Sequence, residues 1–311
     1  MSKQKIAILD DYQNKALELA DWSEVQKKAE VTVFNDHLPD PQAVIKRLLP
    51  FDIICVMRER TPMTAAILEA LPNLKLIVST GSRNASIDVE ACEKKKIKIL
   101  HTNYFATPTI ELTWALILSI AKNITSENAS LRTNGWQKKI GADLHGKTLA
   151  VLGLGNIGSQ IAIIAKAFGM NVISWSQNLT AEKAQEAGTT LVTKEELFKQ
   201  ADFLTVHLVL SPRSKGLVGK NELALMKPTA FLINTSRGPI IEEAALIEAL
   251  EKSLIAGAAI DVYDQEPLQK DHPFRSLENV LATPHIGYVS QGLYETFYKD
   301  SVKNILTWLN Q

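Results

Sequence analysis

Three glycines of this 311-residue sequence are spaced as in loops that hold a pyrophosphate, in the run Gly153-Leu154-Gly155-Asn156-Ile157-Gly158. The run follows an apolar segment, residues 149–152, and precedes a segment with helical spacing, residues 159–168. In such a unit the first glycine permits a tight turn, the second lets backbone amides approach the phosphates, and the third allows close helix–strand packing. This context favours a dinucleotide-binding loop over an ordinary glycine-rich turn. The predicted cofactor-binding residues of the loop are Gly153, Gly155, Asn156, Ile157 and Gly158.

The position that usually binds the cofactor's ribose lacks an acidic residue. A carboxylate at the end of the next strand, about 20 residues on, binds the ribose in many such units. Here that strand ends in the run Ser174-Trp175-Ser176-Gln177-Asn178, which puts Ser176 at the position. Ser176, Gln177 and Asn178 are neutral and do not repel a 2′-phosphate, although no arginine replaces the acid. We therefore predict NAD or NADP as cofactor, with a slight preference for NADP.

Three further polar residues, Arg237, Glu266 and His285, each follow a strand-like apolar run. Open parallel sheets place their chemistry just beyond the carboxyl ends of the strands. Taken singly, each residue also has a structural explanation: a salt bridge, a solvated loop charge and a hydrogen-bonded imidazole, respectively. Their occurrence together, after the glycine loop, favours a shared site.

In this order, the glycine loop and the three residues resemble the D-2-hydroxyacid dehydrogenase family. The resemblance extends from about Asp52 to Leu309 and is densest between Gly146 and Gly287. It implies an oxidoreductase that transfers hydride between NAD(P)H and the α-carbon of a small 2-oxo or 2-hydroxy acid, with D stereospecificity. Apart from the glycine loop, the matching blocks are Met226-Lys227-Pro228, Asn234 to Gly238, Asp261 to Pro267 and Thr283 to Gly287.

The resemblance also implies a role for each catalytic residue. Arg237 would bind the substrate carboxylate and polarise its carbonyl, because a guanidinium offers two convergent donors to a planar anion. His285 would protonate the carbonyl oxygen as hydride arrives. Glu266 would bind the other imidazole nitrogen, which fixes the tautomer and favours imidazolium. The remaining cofactor contacts would come from Asp261, which would meet the nicotinamide amide, and from His207, Val209, Thr235 and Ser236, which would line the cleft.

The segment that would bind the substrate carboxylate through its backbone departs from the family pattern. It runs from Ser79 to Asp88 with the sequence STGSRNASID, and Arg83 stands where the family has glycine. We expect Arg83 to help bind an acid larger or more polar than pyruvate or glyoxylate, with a solvent-facing arginine as the alternative. Upstream, the run Arg58-Glu59-Arg60-Thr61 would add charge at the same cleft. The predicted substrate-binding residues are Gly81, Ser82, Arg83, Arg237 and His285.

Alternating strands and helices must position these residues. Strand-like runs begin at about residues 5, 31, 53, 74 and 97, with helical spacing at 16–20 and 64–70, and a long helix is predicted at 109–123. A second series has strands at 148–152, 171–174, 203–207, 230–234, 256–260 and 280–282, and a last helix covers 288–311. Such alternation predicts an α/β fold with two doubly wound parallel-sheet domains. A Rossmann cofactor domain, 103–286, would be inserted into a flavodoxin-like substrate domain, 1–102 with 287–311.

Composition narrows the class of protein further. Lys plus Arg equals Asp plus Glu at 34 each, which argues against partners such as nucleic acid or an anionic membrane. Cys55 and Cys92 have no metal-ligand spacing, so we predict buried thiols and no metal. The N-terminus shows no signal-peptide pattern, and the longest apolar stretch is about half of a membrane span. We therefore predict a cytoplasmic protein, and the resemblance implies a homodimer.

The residues bear on three alternatives to a general 2-oxo-acid reductase. Formate dehydrogenase, a relative, pairs its histidine with glutamine, and Glu266 argues against it. A short form of phosphoglycerate dehydrogenase, without the regulatory C-terminal domain of the longer members, remains an alternative. A nucleotide-sensing binding protein on the same fold, like the transcriptional corepressors, also remains an alternative, because such proteins can retain the three residues.

Overall fold

The computed structural model describes residues 3–311 and divides into two compact units. The first unit comprises Met1–Phe105 and Val289–Gln311, and the second comprises Ala106–Tyr288. The second unit thus interrupts the chain of the first. Both are parallel α/β sheets flanked by helices, which confirms the predicted fold class. The domain boundaries predicted from the sequence, at 102/103 and 286/287, lie three and two residues from the boundaries of these units.

In the first unit, strands and helices alternate along the chain, as the hydrophobic periodicity predicts. Within the described residues, its five strands are all parallel, in the order β2-β1-β3-β4-β5. Side chains such as Ile54 and Ile77 are fully buried, as expected for a sheet covered on both faces. The elements are β1 (Gln4–Ile8), α1 (Ser23–Lys28), β2 (Ala29–Val33), α2 (Pro41–Leu48), β3 (Ile53–Val56), α3 (Ala65–Glu69), β4 (Leu76–Ser79), α4 (Val89–Lys94) and β5 (Lys98–His101).

The prediction of a helix at residues 16–20 is wrong, because these residues form turns. The carboxylate of Asp11 accepts hydrogen bonds from the main-chain N–H groups of Lys15 and Ala16. The indole N–H of Trp22 donates to the carbonyl oxygen of Ala16. Side chains therefore satisfy backbone groups that a helix would pair, and the helix begins only at Ser23.

The second unit has a seven-stranded parallel sheet in the order β12-β11-β10-β9-β6-β7-β8, counted over the residues that the structure describes. From β6, the strands β7 and β8 are added on one side of the sheet, and β9 to β12 are added on the other side. The strand order therefore reverses between β6 and β9, which is where doubly wound sheets bind their ligands. Its elements are α5 (Thr107–Ala121), α6 (Ile124–Arg132), β6 (Thr148–Leu152), α7 (Asn156–Ala167), β7 (Asn171–Trp175), α8 (Ala181–Glu186), β8 (Thr190–Leu191), α9 (Lys194–Gln200), β9 (Phe203–Val206), α10 (Lys220–Leu225), β10 (Phe231–Asn234), α11 (Glu243–Glu251), β11 (Gly257–Ile260) and β12 (Val280–Ala282).

The two faces of this second sheet are both buried. Along β6, Leu149 and Val151 pack with α5 and α7, whereas Ala150 and Leu152 pack with α9, α10 and α11. This alternation follows from the two-residue period of a strand. It also explains why β6 reads as a continuous apolar run just before the glycine loop.

The long helix predicted at residues 109–123 ends earlier than expected. It runs from Thr107 to Ala121, and Asn123 adopts a left-handed conformation with φ of 53°. A second helix, α6, then covers Ile124–Arg132, a stretch that the sequence patterns left as polar loop. None of its side chains is buried within the chain, so it has no apolar stripe of the kind that predicts a core-facing helix.

The last helix, α12 (Gln291–Leu309), belongs to the first unit and packs against α1, β4 and β5. The hydroxyl of Ser290 caps it by accepting from the N–H of Leu293. Its buried face includes Phe297 and Ile305, which accounts for the apolar spacing in the sequence. Over residues 3–311, no helix combines the length and apolarity needed to cross a bilayer.

Both cysteines are buried, as predicted, Cys55 in β3 and Cys92 in α4. Burial raises the pKa of the Cys55 thiol to about 12. Burial, with a smaller contribution from Asp88, raises the pKa of Cys92 to about 11. Neither thiol is therefore ionised near neutral pH, which fits packing roles.

Candidate active site

The glycine loop joins β6 to α7 and depends on two close backbone contacts. Gly153 has φ of +103°, and a Cβ at this position would lie 2.7 Å from the carbonyl oxygen of His207. A Cβ at Gly158 would lie 2.1 Å from the carbonyl oxygen of Gly153. Only glycine fits at either position without a shift of backbone atoms. These are the tight turn and the close helix–strand packing that the motif requires.

Gly155 differs from the other two glycines because the space beside it is open. No protein atom of the described chain lies within 4 Å of a Cβ built there. Gly155 is also the N-cap of α7, which begins at Asn156 and has no side-chain cap. The first main-chain N–H groups of a helix lack intrahelical partners, so they point toward this open space. The residues present therefore fit a pyrophosphate at the start of α7.

The structure places Ser176 directly after β7, the strand that pairs with β6. Ser176 is partly buried, whereas Gln177 and Asn178 are exposed. This is the strand end at which the ribose-binding carboxylate stands in NAD-binding units. The position therefore presents a hydroxyl and two amides instead of a charge.

His285 and Glu266 form an ion-pair contact, with 2.5 Å between Nδ1 of the imidazole and Oε2 of the carboxylate. The other carboxylate oxygen, Oε1, accepts a hydrogen bond from the main-chain N–H of Tyr263 at 3.0 Å. The contact requires a proton on Nδ1, because a carboxylate only accepts. Nε2 is then the nitrogen at which a substrate proton can be exchanged. The structure thus brings together two of the predicted catalytic residues.

Asp261 holds the loop that carries His285. Its buried carboxylate accepts hydrogen bonds from Thr283 Oγ1 at 2.6 Å, from Ile286 N at 2.8 Å and from Gly287 N at 2.9 Å. Burial raises the pKa of Asp261, and these hydrogen bonds pull it in the opposite direction. The predicted contact of Asp261 with the nicotinamide amide stays a prediction, but the residue also fixes the backbone on both sides of His285. This anchoring role was not predicted from the sequence.

Arg237 follows β10 in a turn that Asn234 organises. The side-chain amide of Asn234 donates to the carbonyl oxygen of Arg237 at 3.0 Å, and its oxygen accepts from the N–H of Ser236 at 3.0 Å. The Arg237 Nη1 donates to the carbonyl oxygen of Ser236 at 2.7 Å. Asn234 was not singled out from the sequence, although it lies within a matching block. The available signal was a polar residue directly after an apolar run, and the structure shows that Asn234 is buried.

The loop after Arg237 packs directly against the loop that leads to Glu266. A Cβ at Gly238 would lie 2.1 Å from the carbonyl carbon of Tyr263. The backbones of these two loops therefore touch, and a side chain at position 238 would force them apart. The three predicted catalytic residues lie on loops at the carboxyl ends of β10, β11 and β12, adjacent strands of one sheet.

The other predicted cofactor residues lie beyond β9 and β10. Thr235 Oγ1 lies 2.8 Å from Thr113 Oγ1, and Ser236 Oγ donates to the carbonyl oxygen of Leu208 at 2.5 Å. Val209 is 81% exposed. His207 Nε2 lies 2.8 Å from Thr205 Oγ1, and burial lowers the pKa of His207 to about 3. This imidazole is therefore neutral near pH 7 and is a hydrogen-bonding group, not a cation.

The predicted substrate loop belongs to the first unit and starts where β4 ends. Gly81 has φ of +83°, and a Cβ there would lie 1.9 Å from Nη1 of Arg58. Arg58 Nη1 donates to the carbonyl oxygens of Thr80 at 3.3 Å and of Arg83 at 3.4 Å. Arg58 therefore supports the loop backbone, whereas from the sequence it was expected only to add charge near this loop. The side chain of Arg83 is exposed.

His101, the last residue of β5, and the following Thr102 also contact the same loop. The N–H of Gly81 donates to Thr102 Oγ1 at 2.8 Å, and His101 Nδ1 lies 3.2 Å from the carbonyl oxygen of Gly81. The side chain of Asn84 donates to the carbonyl oxygen of Arg58 at 2.6 Å. These contacts fix the backbone conformation of the loop in this unit.

Comparison with known proteins places these features in a family. The family model described as D-isomer specific 2-hydroxyacid dehydrogenase, NAD binding domain, matches residues 114–287. The chain is 33% identical over 297 residues to the glyoxylate reductase of Aeropyrum pernix, and the match covers 92% of this chain and 87% of that one. A crystal structure of phosphoglycerate oxidoreductase from Vibrio cholerae matches with a TM-score of 0.94 and 38% identity, over 99% of both chains.

Some relatives are longer than this chain. The D-3-phosphoglycerate dehydrogenase of Methanocaldococcus jannaschii is 38% identical over 272 residues, and the match covers 85% of this chain but 52% of that one. The chain therefore spans about half the length of this relative.

Proposed function

Since the chain belongs to the D-isomer specific 2-hydroxyacid dehydrogenase family, as its resemblance to that family predicted, we propose that it transfers hydride between NAD(P)H and a small 2-oxo or 2-hydroxy acid. The observation that carries the proposal is the pairing of His285 Nδ1 with Glu266 Oε2 at 2.5 Å, in the unit that also holds the glycine loop. An imidazole held in this way is a proton donor with a fixed tautomer.

The cofactor would be held by the N–H groups at the start of α7, with its phosphates beside Gly155. When bound, the nicotinamide supplies or accepts the hydride. The neutral His207, the hydroxyls of Thr235 and Ser236, Val209 and the carboxylate of Asp261 would provide further contacts along the strand ends. Open space at Gly155 and close packing at Gly153 and Gly158 support this arrangement.

The proton would be exchanged at Nε2 of His285. In the reducing direction the imidazolium protonates the carbonyl oxygen, and in the oxidising direction the neutral imidazole accepts the hydroxyl proton. Glu266 stabilises the protonated form through its negative charge and keeps Nδ1 occupied. Arg237 would bind the substrate carboxylate with paired N–H donors and so orient the carbonyl.

For the cofactor we propose both NAD and NADP, with a slight preference for NADP. The hydroxyl of Ser176 and the amides of Gln177 and Asn178 support this choice, because none of them repels a 2′-phosphate. Comparison of kcat/KM for NADH and NADPH tests it. A Ser176→Asp variant should favour NADH, since the carboxylate binds the ribose diol and repels the phosphate.

We propose Gly81, Ser82 and Arg83 as substrate-binding residues of the first unit. The exposed guanidinium of Arg83 supports an acid with a second polar or anionic group. A short-form phosphoglycerate dehydrogenase is therefore a second candidate. It is favoured by the 38% identity over nearly the full length of the Vibrio cholerae phosphoglycerate oxidoreductase.

One assay distinguishes these candidates. Oxidation of NADH and NADPH is followed with glyoxylate, pyruvate, hydroxypyruvate and phosphohydroxypyruvate, for the parent protein and for Arg83→Ala. If Arg83→Ala loses kcat/KM only for substrates with a second anionic group, the role of Arg83 is supported. If its kcat/KM equals that of the parent protein for every acid, the role is rejected. Cofactor binding without turnover of any acid would indicate the nucleotide-sensing alternative instead.

We also propose a homodimer formed through the second unit. Four large apolar side chains within residues 124–140 are exposed, and α6 has no buried side chain. Several large exposed apolar side chains in one segment are typical of a protein–protein interface. The exposed residues are Ile124 (53%), Leu131 (58%), Trp136 (74%) and Ile140 (98%).

A further inference from the structure

Tyr263 is a buried tyrosine, 6% exposed, in the run between β11 and Glu266. Its hydroxyl donates to the carbonyl oxygen of Thr283 at 2.7 Å. The same carbonyl oxygen accepts the main-chain N–H of His285 at 3.0 Å. A buried tyrosine hydroxyl needs a hydrogen-bond partner, and this one finds it in the short turn that presents the imidazole.

The backbone of Tyr263 holds the partner of that imidazole. Its N–H donates to Oε1 of Glu266 at 3.0 Å, while Oε2 of the same carboxylate contacts His285. One residue thus binds the glutamate through its main chain and the histidine turn through its side chain. Both hydrogen bonds are therefore made by a single residue. Its ring lies near that of Phe274, with 6.3 Å between ring centroids.

Tyr263 also touches the loop of the third proposed catalytic residue. Its carbonyl carbon lies 2.1 Å from the position that a Cβ at Gly238 would occupy, next to Arg237. The three loops that follow β10, β11 and β12 therefore all meet at this tyrosine.

We propose that Tyr263 is a positioning residue that sets the distance between Glu266 and His285. The inference rests on the proposed function for its catalytic meaning. A contact of 2.5 Å between side chains on separate loops requires that both loops keep a fixed position relative to each other. The rigid phenol ring spans the two loops and fixes their separation. Asp261 holds the histidine loop independently by three hydrogen bonds, so removal of the phenol hydroxyl would loosen the pair without unfolding the loop.

The test is Tyr263→Phe, which keeps the ring and the main-chain N–H and removes only the hydroxyl. The matched control is Tyr298→Phe in the first unit, a buried tyrosine whose hydroxyl donates to Asp11 Oδ1 at 3.3 Å. Thermal unfolding of both variants measures the purely structural effect. A merely structural role predicts the same behaviour from both in every other measurement.

The first readout does not depend on activity. Nitrogen NMR of histidine-labelled protein resolves the ring nitrogens of the six histidines, and His285→Gln assigns the signals of residue 285. The parent protein is expected to show His285 protonated at Nδ1. Tyr263→Phe is expected to shift the Nδ1 signal of His285 and leave the other histidines unchanged. An unchanged His285 signal overturns the proposal, whether or not the protein is an active reductase.

The second readout is kinetic. Tyr263→Phe should lower kcat for reduction of the preferred 2-oxo acid about 3- to 10-fold, the effect of one lost hydrogen bond, with the KM for the cofactor unchanged. In a Glu266→Gln background the same substitution should have little effect, because the pair that it positions is already broken. An equal loss of kcat in both backgrounds overturns the proposal. A parent protein that reduces no 2-oxo acid rejects the proposed function, and the NMR result then decides the positioning role alone.

Discussion

The carbonyl oxygen of Gly153 lies 2.1 Å from the point that a Cβ at Gly158 would occupy, so the start of α7 rests directly on the preceding turn. The glycines at these two positions are required by the fold itself. Gly155, which stands between them, has open space beside it and is required only if a ligand approaches. The two kinds of glycine predict different effects of substitution.

Gly158→Ala should lower the free energy of unfolding by about 1 to 3 kcal/mol, because the new methyl group meets rigid backbone. Gly155→Ala should leave stability unchanged and weaken NADH or NADPH binding about tenfold, or about 1.4 kcal/mol. Urea unfolding and calorimetric titration measure the two effects. Gly292→Ala, where a Cβ would make an ordinary contact at 3.7 Å, is the control for both. Equal cofactor affinity in Gly155→Ala and the parent protein would contradict the proposed phosphate site.

His285→Ala should reduce kcat about 10²- to 10⁴-fold, the usual contribution of a positioned acid–base group. Cofactor affinity should change little, because the predicted phosphate contacts lie at α7. Steady-state kinetics and cofactor titration test this together. His145→Ala, at an exposed histidine of the same unit, is the control. Survival of kcat in His285→Ala would mean that another group donates the proton.

Glu266→Gln should shift the pH profile of 2-oxo-acid reduction toward lower pH. Reduction requires the imidazolium, and Glu266→Gln removes the neighbouring negative charge that stabilises it. The rate should therefore fall at a lower pH than in the parent protein. Glu248→Gln, at a partly exposed residue of α11, should leave the profile unchanged. A profile of Glu266→Gln that superimposes on the parent's removes Glu266 from this role.

His207 should make stability depend on pH. Its pKa is lowered by burial from 6.5 to about 3, so between these values the unfolded chain binds a proton that the folded chain does not. The free energy of unfolding should therefore rise with pH between about pH 3 and 6.5, by up to about 1.4 kcal/mol per pH unit. This contribution of His207 to stability is lost as the pH falls through the same window. His207→Gln should flatten the slope in urea unfolding series, and His145→Gln should not. Parallel slopes for His207→Gln and the parent protein would refute this assignment.

Substitution of the exposed apolar side chains within residues 124–140 should separate the proposed dimer. Trp136→Glu combined with Ile140→Glu places charges on side chains that are 74% and 98% exposed, so folding of the single chain should be unaffected. Sedimentation velocity should then report the mass of one chain instead of two. Leu17→Glu, 48% exposed in the first unit, is the matched control. A parent protein that sediments as a monomer at high concentration would exclude the dimer.

The sequence predicted the structure best where residue type directly sets the backbone conformation or the burial of a segment. The buried strands of both sheets read as short apolar runs, and the glycine loop stands in its expected strand–loop–helix context. By contrast, the helix predicted at residues 16–20 failed because the carboxylate of Asp11 competes for the backbone N–H groups. Helix α6 was missed because it buries no side chain within the chain and so leaves no amphipathic pattern.

By itself, the sequence determined the parallel α/β fold class, the family and the chemical identity of the three proposed catalytic residues, because each depends on residue type and order. The contact of Glu266 with His285 was implied by the family resemblance, but only the tertiary structure decided its geometry. Only the tertiary structure also decided that Arg58 supports the loop of Arg83 and that Tyr263 joins the loops of the site. These are contacts between residues distant in the chain or joined by irregular turns. Their geometry depends on where adjacent strands end, and no periodic pattern in the sequence encodes it.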